Sequence, residues 1–370
     1  MDGFLADPGT RIVVCCGSGG VGKTTTAAAL GLRAAEVHGR RTVVLTIDPA
    51  RRLAQSMGLT ELDNTPRQVK GIDADASGGE LFAMMLDMKR TFDEVVQAHT
   101  TPQRAAEIFA NPFYQAMSST FSGTQEYMAM EKLGQLRARD EWDLIVVDTP
   151  PSRSALDFLD APARLSRFLD GRMLRMLLAP ARSGGRSMFS LVTASFGLFS
   201  RVVQKILGAQ LLTDLSGFVA ALDSVFGGFR QRADETYRIL QDPQTAFLLV
   251  AAPDRDAVRE AAYFAERLVA QRMPLAGLVL NRVHDSALPT LSVRDSEAAA
   301  AALDATGDQQ TTADTLRIHA GLLRQMEREV QVAATFTDAF PAVPTVSVTA
   351  QPADVHDVDG LRLIGAALSS

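Results

Sequence analysis

A glycine-rich segment near the start of the chain constrains its fold more than any other feature. Residues 17–24 read Gly-Ser-Gly-Gly-Val-Gly-Lys-Thr and fit the pattern G-x-x-x-x-G-K-[ST]. The segment follows the apolar run 11–16, a predicted strand, and precedes a helical pattern, which is the context in which such a sequence forms a phosphate-binding loop. It therefore predicts a strand, a loop and a helix that together bind a nucleotide.

The glycine loop contributes both backbone groups and side chains to this predicted site. Its amides can close around phosphate oxygens because glycine leaves room for them, and the positive end of the following helix points at the same place. The Lys23 ammonium is expected to reach the β- and γ-phosphates, and the Thr24 hydroxyl to bind Mg²⁺. The predicted nucleotide-binding residues of the loop are Gly19, Gly20, Val21, Gly22, Lys23, Thr24 and Thr25.

Two aspartates follow predicted strands. Asp148 ends the apolar run 144–147, where a carboxylate can contact the metal ion through water. Asp48 follows the run 43–46 and precedes Pro49, at the carboxyl edge of the predicted sheet, where ligands bind. Position alone leaves two roles open for Asp48, the orientation of an attacking water molecule and the capping of a helix.

Apolar runs that indicate strands alternate with helical patterns along the chain. The runs lack the polar alternation of a half-exposed strand, as expected for parallel strands covered by helices on both faces. The predicted fold class is α/β, a doubly wound, mostly parallel sheet. The predicted strands are residues 11–16, 42–46, 81–86, 144–147, 246–251, 278–280 and 343–348.

The length of 370 residues fits a single nucleotide-binding domain, residues 1–370, that carries helical insertions. Residues 89–139 and 151–244 are helical in pattern and are predicted to form a helical subdomain. The range 285–310 is rich in Ala, Ser and Asp and is expected to be a loosely packed insertion.

The composition bears on partners, location and metal sites. The net charge of −6 argues against nucleic acid as a standing partner. The apolar run 12–16 is too short for a secretory signal, so we expect a cytoplasmic protein and leave attachment to the membrane periphery open.

Cys15 and Cys16, the only cysteines, are adjacent in a predicted strand. We expect both in the core, with neither a disulfide nor a Cys-x-x-C zinc site.

Three segments together resemble a known family. The glycine loop, Asp48-Pro49-Ala50 and Asp148-Thr149-Pro150-Pro151 are similar in order and spacing to those of the ArsA family of anion-transporting and tail-anchored-protein-targeting ATPases. The resemblance covers nearly the whole chain and implies a SIMIBI-type P-loop NTPase fold, with ATP and Mg²⁺ as cofactors. It implies that Asp48 positions the attacking water and is catalytic together with Lys23, and that the two aspartate segments are switches I and II.

Two later segments extend the resemblance to the base of the nucleotide. Residues 278–282, Leu-Val-Leu-Asn-Arg, are similar to the family strand that ends in an adenine-binding asparagine, which implies that Asn281 binds the base. The amide of asparagine can donate and accept hydrogen bonds, as recognition of adenine requires. Residues 350–355 resemble less closely the loop that packs beside the adenine, and this resemblance adds Pro352 to the predicted site.

The loop also departs from the family pattern at Ser18. The family has a signature lysine at this position, which reaches across a dimer and neutralises phosphate charge on the opposite nucleotide, whereas Ser18 is short and uncharged. A homodimer would lack this lysine at both sites, but a sister subunit that carries it could complete the site of this chain. The chain is most similar to the ArsA-like ATPases that actinobacteria encode in pairs, which favours the heteromer.

Three functions stay open from the sequence. The first is a Mg-ATP-dependent dimeric switch with a hydrophobic or membrane-protein client. The Met-, Phe- and Leu-rich region 151–244 could bind such a client, although these residues also suit an ordinary helical core. The second is a weakly active regulatory nucleotide-binding subunit, which Ser18 favours. The third, a ParA- or MinD-type positioning ATPase, ranks last because the C-terminal segment 361–368 is short and barely basic.

Overall fold

The structure of this chain is a computed structural model. It describes residues 1–47, 52–73, 77–112, 114–115, 124–150, 231–232, 234–288, 290–307 and 309–369. By its contacts the chain divides into two compact units. The first comprises Met1–Met85, Leu136–Leu156 and Ile239–Ser370, and the second comprises Leu86–Gln135 and Asp157–Arg238.

An eight-stranded sheet forms the centre of the first unit. Its strands lie in the order β3-β4-β2-β5-β1-β6-β7-β8, and all neighbours are parallel except β3 and β4. The strands are β1 Ile12–Cys16, β2 Arg41–Thr46, β3 Arg67–Gln68, β4 Glu80–Met85, β5 Leu144–Asp148, β6 Thr245–Ala251, β7 Leu275–Val283 and β8 Thr345–Thr349. The predicted α/β class with a mostly parallel sheet is therefore confirmed.

The apolar runs of the sequence become the most buried strands. Every residue of β1, β5 and β6 is buried, which is why these runs show no polar alternation. Cys15 and Cys16 lie in β1, and the prediction that both are core residues is confirmed. Strand β3 was not predicted from the sequence; it has two polar residues and pairs antiparallel with β4.

We number ten helices among the described residues. In the first unit α2 continues from the glycine loop, α7 follows β6 and α10 packs against α2. The helices are α1 Asp2–Ala6, α2 Lys23–Glu36, α3 Arg52–Ser56, α4 Met88–His99, α5 Pro102–Ala110, α6 Thr124–Arg139, α7 Arg255–Ala270, α8 Val293–Thr306, α9 Gln310–Ala339 and α10 Val358–Ala367. Among the residues described, no helix is both long and apolar enough to cross a bilayer.

A helical hairpin, formed by α8 and α9, follows β7. Helix α8 lies in the range predicted as a loosely packed insertion, and its N-cap Ser292 accepts a hydrogen bond from the backbone of Asp295 at 3.1 Å. Glu329 on α9 is buried and accepts from both the backbone and the imidazole of His284, at 2.9 and 2.6 Å. These bonds fix α9 to the segment that leaves β7.

The secondary-structure elements described in the second unit are all helices. Helices α5 and α6 lie within the range 89–139, and α4 begins one residue before it, at Met88. Buried Lys132 on α6 pairs with Glu94 on α4 at 2.8 Å, so this ion pair joins two helices of the unit. Most of the range 151–244 lies outside the described residues, and its helical subdomain stays a prediction.

Arg40 joins the N-terminal segment to the sheet of the first unit. Its buried guanidinium donates to the carbonyl oxygens of Leu5 and Asp7, each at 3.2 Å, and to that of Thr10 at 2.5 Å. It also donates to the carbonyl oxygen of Asp143, which precedes β5. One side chain thus satisfies four main-chain acceptors.

We expect Arg40→Met to lower the free energy of unfolding by about 2–4 kcal/mol, because buried carbonyls that lose their donor are costly. Denaturant unfolding of the purified variant measures this loss. The matched control is Arg259→Met on α7, whose side chain is 77% exposed, and it should stay within about 0.5 kcal/mol of the native protein. Equal losses in the two variants would contradict the role given to Arg40.

Candidate nucleotide-binding site

The glycine loop joins the end of β1 to the start of α2, as its sequence predicts. Gly22 is the N-cap of α2 and has left-handed backbone angles, with φ 96°, which side chains other than that of glycine rarely allow. A Cβ atom at Gly22 would collide with the side-chain amide of Asn281, and one at Gly17 with the carbonyl of Val250. The loop is thus shaped by glycine to present its amides and the N-terminus of α2, which fits a bound phosphate group.

Lys23 begins α2 and bends back over the loop. The residue is only 7% exposed, and its Nζ atom donates to the carbonyl oxygen of Ser18 at 2.8 Å. The ammonium therefore lies within the loop whose amides are expected to hold phosphates. The Oγ atom of Ser18 is itself buried.

Asp148 and Thr24 come together at the end of β5. Asp148 is fully buried at 0% exposure, and its Oδ2 atom accepts from the Thr24 hydroxyl at 2.7 Å. A carboxylate beside a hydroxyl is a set of hard oxygen donors, the kind that Mg²⁺ prefers. The two residues predicted as metal ligands therefore fit that ion, while Thr24 and Thr25 also line the cavity described below.

A third residue, Thr46 at the end of β2, joins this pair and was missed from the sequence. Its hydroxyl donates to the same Oδ2 atom of Asp148 at 2.8 Å. Thr46 and Asp148 are register partners in the adjacent strands β2 and β5. The signal that could have found Thr46 is its place at a strand end, but the pairing depends on the strand order.

The two cysteines lie close to this site but have no acidic character. Burial is the main cause that raises the pKa of Cys16 to about 12, and burial likewise raises the pKa of Cys15 well above its usual value. Asp148 adds to both shifts, since a nearby negative charge disfavours a thiolate. Both thiols therefore stay protonated at neutral pH.

Beside the loop is a cavity of about 800 Å³. Asn281, near the end of β7, lines it and is 9% exposed. Its Nδ2 atom donates to the carbonyl oxygen of Val21 at 2.8 Å, which joins β7 to the glycine loop. The segment that follows β8 also lines the cavity, with Ala350, Gln351, Ala353, Asp354, Val355 and His356. Gln351 and Ala353 flank the predicted Pro352, whose side chain is exposed.

Further residues of the cavity were not foreseen from the sequence. Arg282 follows Asn281 and is exposed, with a left-handed φ of 65° where the register of β7 and β8 shifts. Gln55 and Ser56, from α3, line the same cavity. Nothing in the sequence marks these residues, because a bulge and the position of a short helix arise from tertiary packing.

Asp48 lies outside the described residues, so its two possible roles stay as the sequence left them. The residue before it is described. The backbone amide of Ile47 donates to the carbonyl oxygen of Asp148 at 3.0 Å. The residue that precedes Asp48 in the sequence is therefore bonded to the main chain of Asp148.

Comparison with known proteins identifies relatives of this chain. A family model described as "Anion-transporting ATPase" matches residues 10–294. "ATPase GET3" of Malassezia globosa is 27% identical over 169 residues, which cover 46% of this chain and 47% of that protein. "Protein Rv2184c" of Mycobacterium tuberculosis is 30% identical over 177 residues, 45% of this chain and 41% of that protein.

A longer match links the chain to a ciliate protein. "ATPase ASNA1 homolog 2" of Paramecium tetraurelia is 24% identical over 288 residues, 76% of this chain and 79% of that protein. By contrast, the chain spans less than half the length of the GET3 and Rv2184c relatives.

Proposed function

The chain belongs to the ArsA family of anion-transporting ATPases, and from this premise we propose that it binds Mg-ATP and hydrolyses it as a dimeric nucleotide-driven switch. The observation that carries the proposal is the meeting of Lys23, Thr24 and Asp148 at the glycine loop. Lys23 and Thr24 line a cavity large enough for a nucleotide, and the Thr24 hydroxyl donates to the buried carboxylate of Asp148. We propose a cytoplasmic setting for this activity.

Each group of the site has a role in this proposal. The loop amides and the Lys23 ammonium hold and neutralise the phosphates, and Thr24 and Asp148 hold Mg²⁺, with Asp148 acting through water. Mg²⁺, when bound, supplies positive charge that stabilises the charge developing on the phosphate oxygens. Asp48 orients the attacking water for in-line displacement.

A further part of the cavity lining would hold the base. Asn281 is fixed against the glycine loop by its bond to the carbonyl of Val21, so its amide is positioned before a ligand enters. We assign the base to Asn281 and to the segment 350–356, which includes Pro352. This assignment leaves the phosphates at the loop amides and Lys23, which border the same cavity.

The partner in the dimer is proposed to be a sister ArsA-like subunit that carries the signature lysine. The support is Ser18, because a buried, uncharged hydroxyl cannot reach the phosphate of another subunit. Charges supplied in trans are worth about 10³-fold or more in phosphoryl transfer. A homodimer would lack this contribution at both sites. The client is proposed to be a hydrophobic or membrane-protein segment bound by the region 151–244.

We expect the sister subunit to raise Mg-dependent ATP hydrolysis by this chain about 10²–10³-fold. The measurement is the hydrolysis rate of the purified chain alone, with the sister, and with a sister whose signature lysine is changed to alanine. The rate is also measured for the Asp48→Asn variant of this chain with the sister. It should remove the gain if Asp48 orients the attacking water.

Three other outcomes would change the proposal. Equal rates with and without the sister would favour a self-sufficient homodimer. Nucleotide binding without hydrolysis in any mixture would favour the regulatory subunit. A gain that survives Asp48→Asn would give Asp48 the role of a helix cap.

A further inference from the structure

Two hydroxyl groups donate to one oxygen of the buried carboxylate at the end of β5. The Oδ2 atom of Asp148 accepts from Thr24 at 2.7 Å and from Thr46 at 2.8 Å. Thr24 belongs to the glycine loop and helix α2, while Thr46 ends the neighbouring strand β2. The carboxylate is therefore fixed from two different elements of the first unit.

The contact from β2 is set by the pairing of two strands. Thr46 is 1% exposed and is in register with Asp148, so the backbones of two central strands set the distance between the two side chains. The β-branched side chain of threonine has few rotamers, which limits the motion of its hydroxyl. A carboxylate by itself rotates about a broad two-fold torsion, so a fixed donor restricts which oxygen faces the site.

We propose that Thr46 is a positioning residue that orients the Asp148 carboxylate for Mg²⁺. This inference rests on the proposed function, since it assigns the metal of the proposed Mg-ATP site to Asp148. The hydroxyl of Thr46 stabilises the ionised carboxylate and fixes Oδ2, so little rearrangement is needed when the metal and the nucleotide bind together. Partners of metal-binding groups typically contribute 10–100-fold to metal affinity or activity.

The main chain of Asp148 is also bonded to the residue that follows β2. The amide of Ile47, next to Thr46, donates to the carbonyl oxygen of Asp148 at 3.0 Å. Asp48 follows one residue later in the sequence. The side chain of Thr46 and the backbone of Ile47 thus hold Asp148 from the strand that leads into predicted switch I.

The test compares three purified variants of the full chain. Thr46→Val keeps the shape of the side chain and removes the hydroxyl, and Thr46→Ser keeps the hydroxyl. The matched control is Thr42→Val on the same face of β2, where Thr42 is 0% exposed and its hydroxyl donates to the carbonyl oxygen of Arg40 at 3.4 Å. The readout is the affinity for a fluorescent ADP analogue, measured with Mg²⁺ and with EDTA, together with the thermal unfolding midpoint.

Thr46→Val is expected to weaken binding of the analogue at least 10-fold in Mg²⁺ and to leave binding in EDTA unchanged. Thr46→Ser should stay within about 3-fold of the native affinity under both conditions, since it keeps the donor. Thr42→Val should match the native affinity under both conditions. If Thr46→Val does not fold, Thr46→Cys, which has a similar size and a weaker donor, is tested by the same criterion.

Failure of this inference can be told apart from failure of the proposed function. Native protein that binds no analogue under either condition overturns the proposed function. If binding by the native protein depends on Mg²⁺ and binding by Thr46→Val depends on it to the same extent, the role of Thr46 is overturned. A loss for Thr46→Val that is equal with Mg²⁺ and with EDTA also overturns it, because a merely structural effect would not follow the metal.

Discussion

Lys23→Met protein is expected to bind ATP at least about 30-fold more weakly than the native chain and to hydrolyse none above background. Methionine keeps the length of the side chain and removes its charge. Truncating one partner of a buried, hydrogen-bonded charge pair costs roughly 2–5 kcal/mol, which is about 30-fold to several thousand-fold in affinity. Lys23 is 7% exposed and lies within the glycine loop, so water would replace little of the lost charge.

Binding is measured by titration calorimetry with ATP and Mg²⁺, and hydrolysis by phosphate release. The control is Lys70→Met, at an exposed lysine of the same unit, which should match the native protein in both assays. Thermal unfolding without nucleotide should show that Lys23→Met is folded. A folded Lys23→Met protein with native ATP affinity would contradict the proposal that the glycine loop binds the phosphates.

Ser18→Lys is expected to raise the ATPase rate of the chain without any sister subunit by at least about 10-fold. The substitution restores a cation that could reach the nucleotide of a second copy, and such trans charges are worth about 10³-fold or more in related phosphoryl transfers. A smaller gain is expected because both sites must assemble from one chain. The rate per chain should rise with protein concentration, since the effect requires a dimer.

The matched control is Ser18→Met, which adds a side chain of similar length without charge and should give no gain. Both variants are compared with the native chain by phosphate release over a range of protein concentrations. A gain that does not depend on concentration would indicate that the new lysine acts within its own subunit. An equal gain for Ser18→Met would show that charge is not the cause.

The sheet was predictable because its central strands are buried on both faces. The apolar run 144–147 has no polar alternation, and it forms a strand with every residue buried. Strand β3 was not predictable, since Arg67 and Gln68 carry no apolar signal and pair with β4 through a long-range contact. Burial of a strand on both faces is thus visible in the sequence as an apolar run, while the pairing of an edge strand leaves no such pattern.

The site was predictable to the extent that it depends on local sequence. The glycine loop and Asp148 stand in short motifs, and the structure brings Thr24 and Asp148 within hydrogen-bond distance. Thr46 contacts Asp148 only because β2 lies next to β5, and the strand order is a property of the whole fold. The wall formed by Arg282 likewise depends on a bulge between β7 and β8.

The bond from Asn281 to the carbonyl of Val21 also bears on how the protein is made. Its two partners are 260 residues apart in the chain. Synthesis at about 5–20 residues per second delivers Asn281 to a growing chain roughly 13–50 seconds after Val21. Strand β6, a neighbour of β1 in the sheet, also arrives late. A nascent chain on the ribosome therefore exposes the glycine loop long before it can close the pocket, and the nucleotide can support folding only near the end of translation.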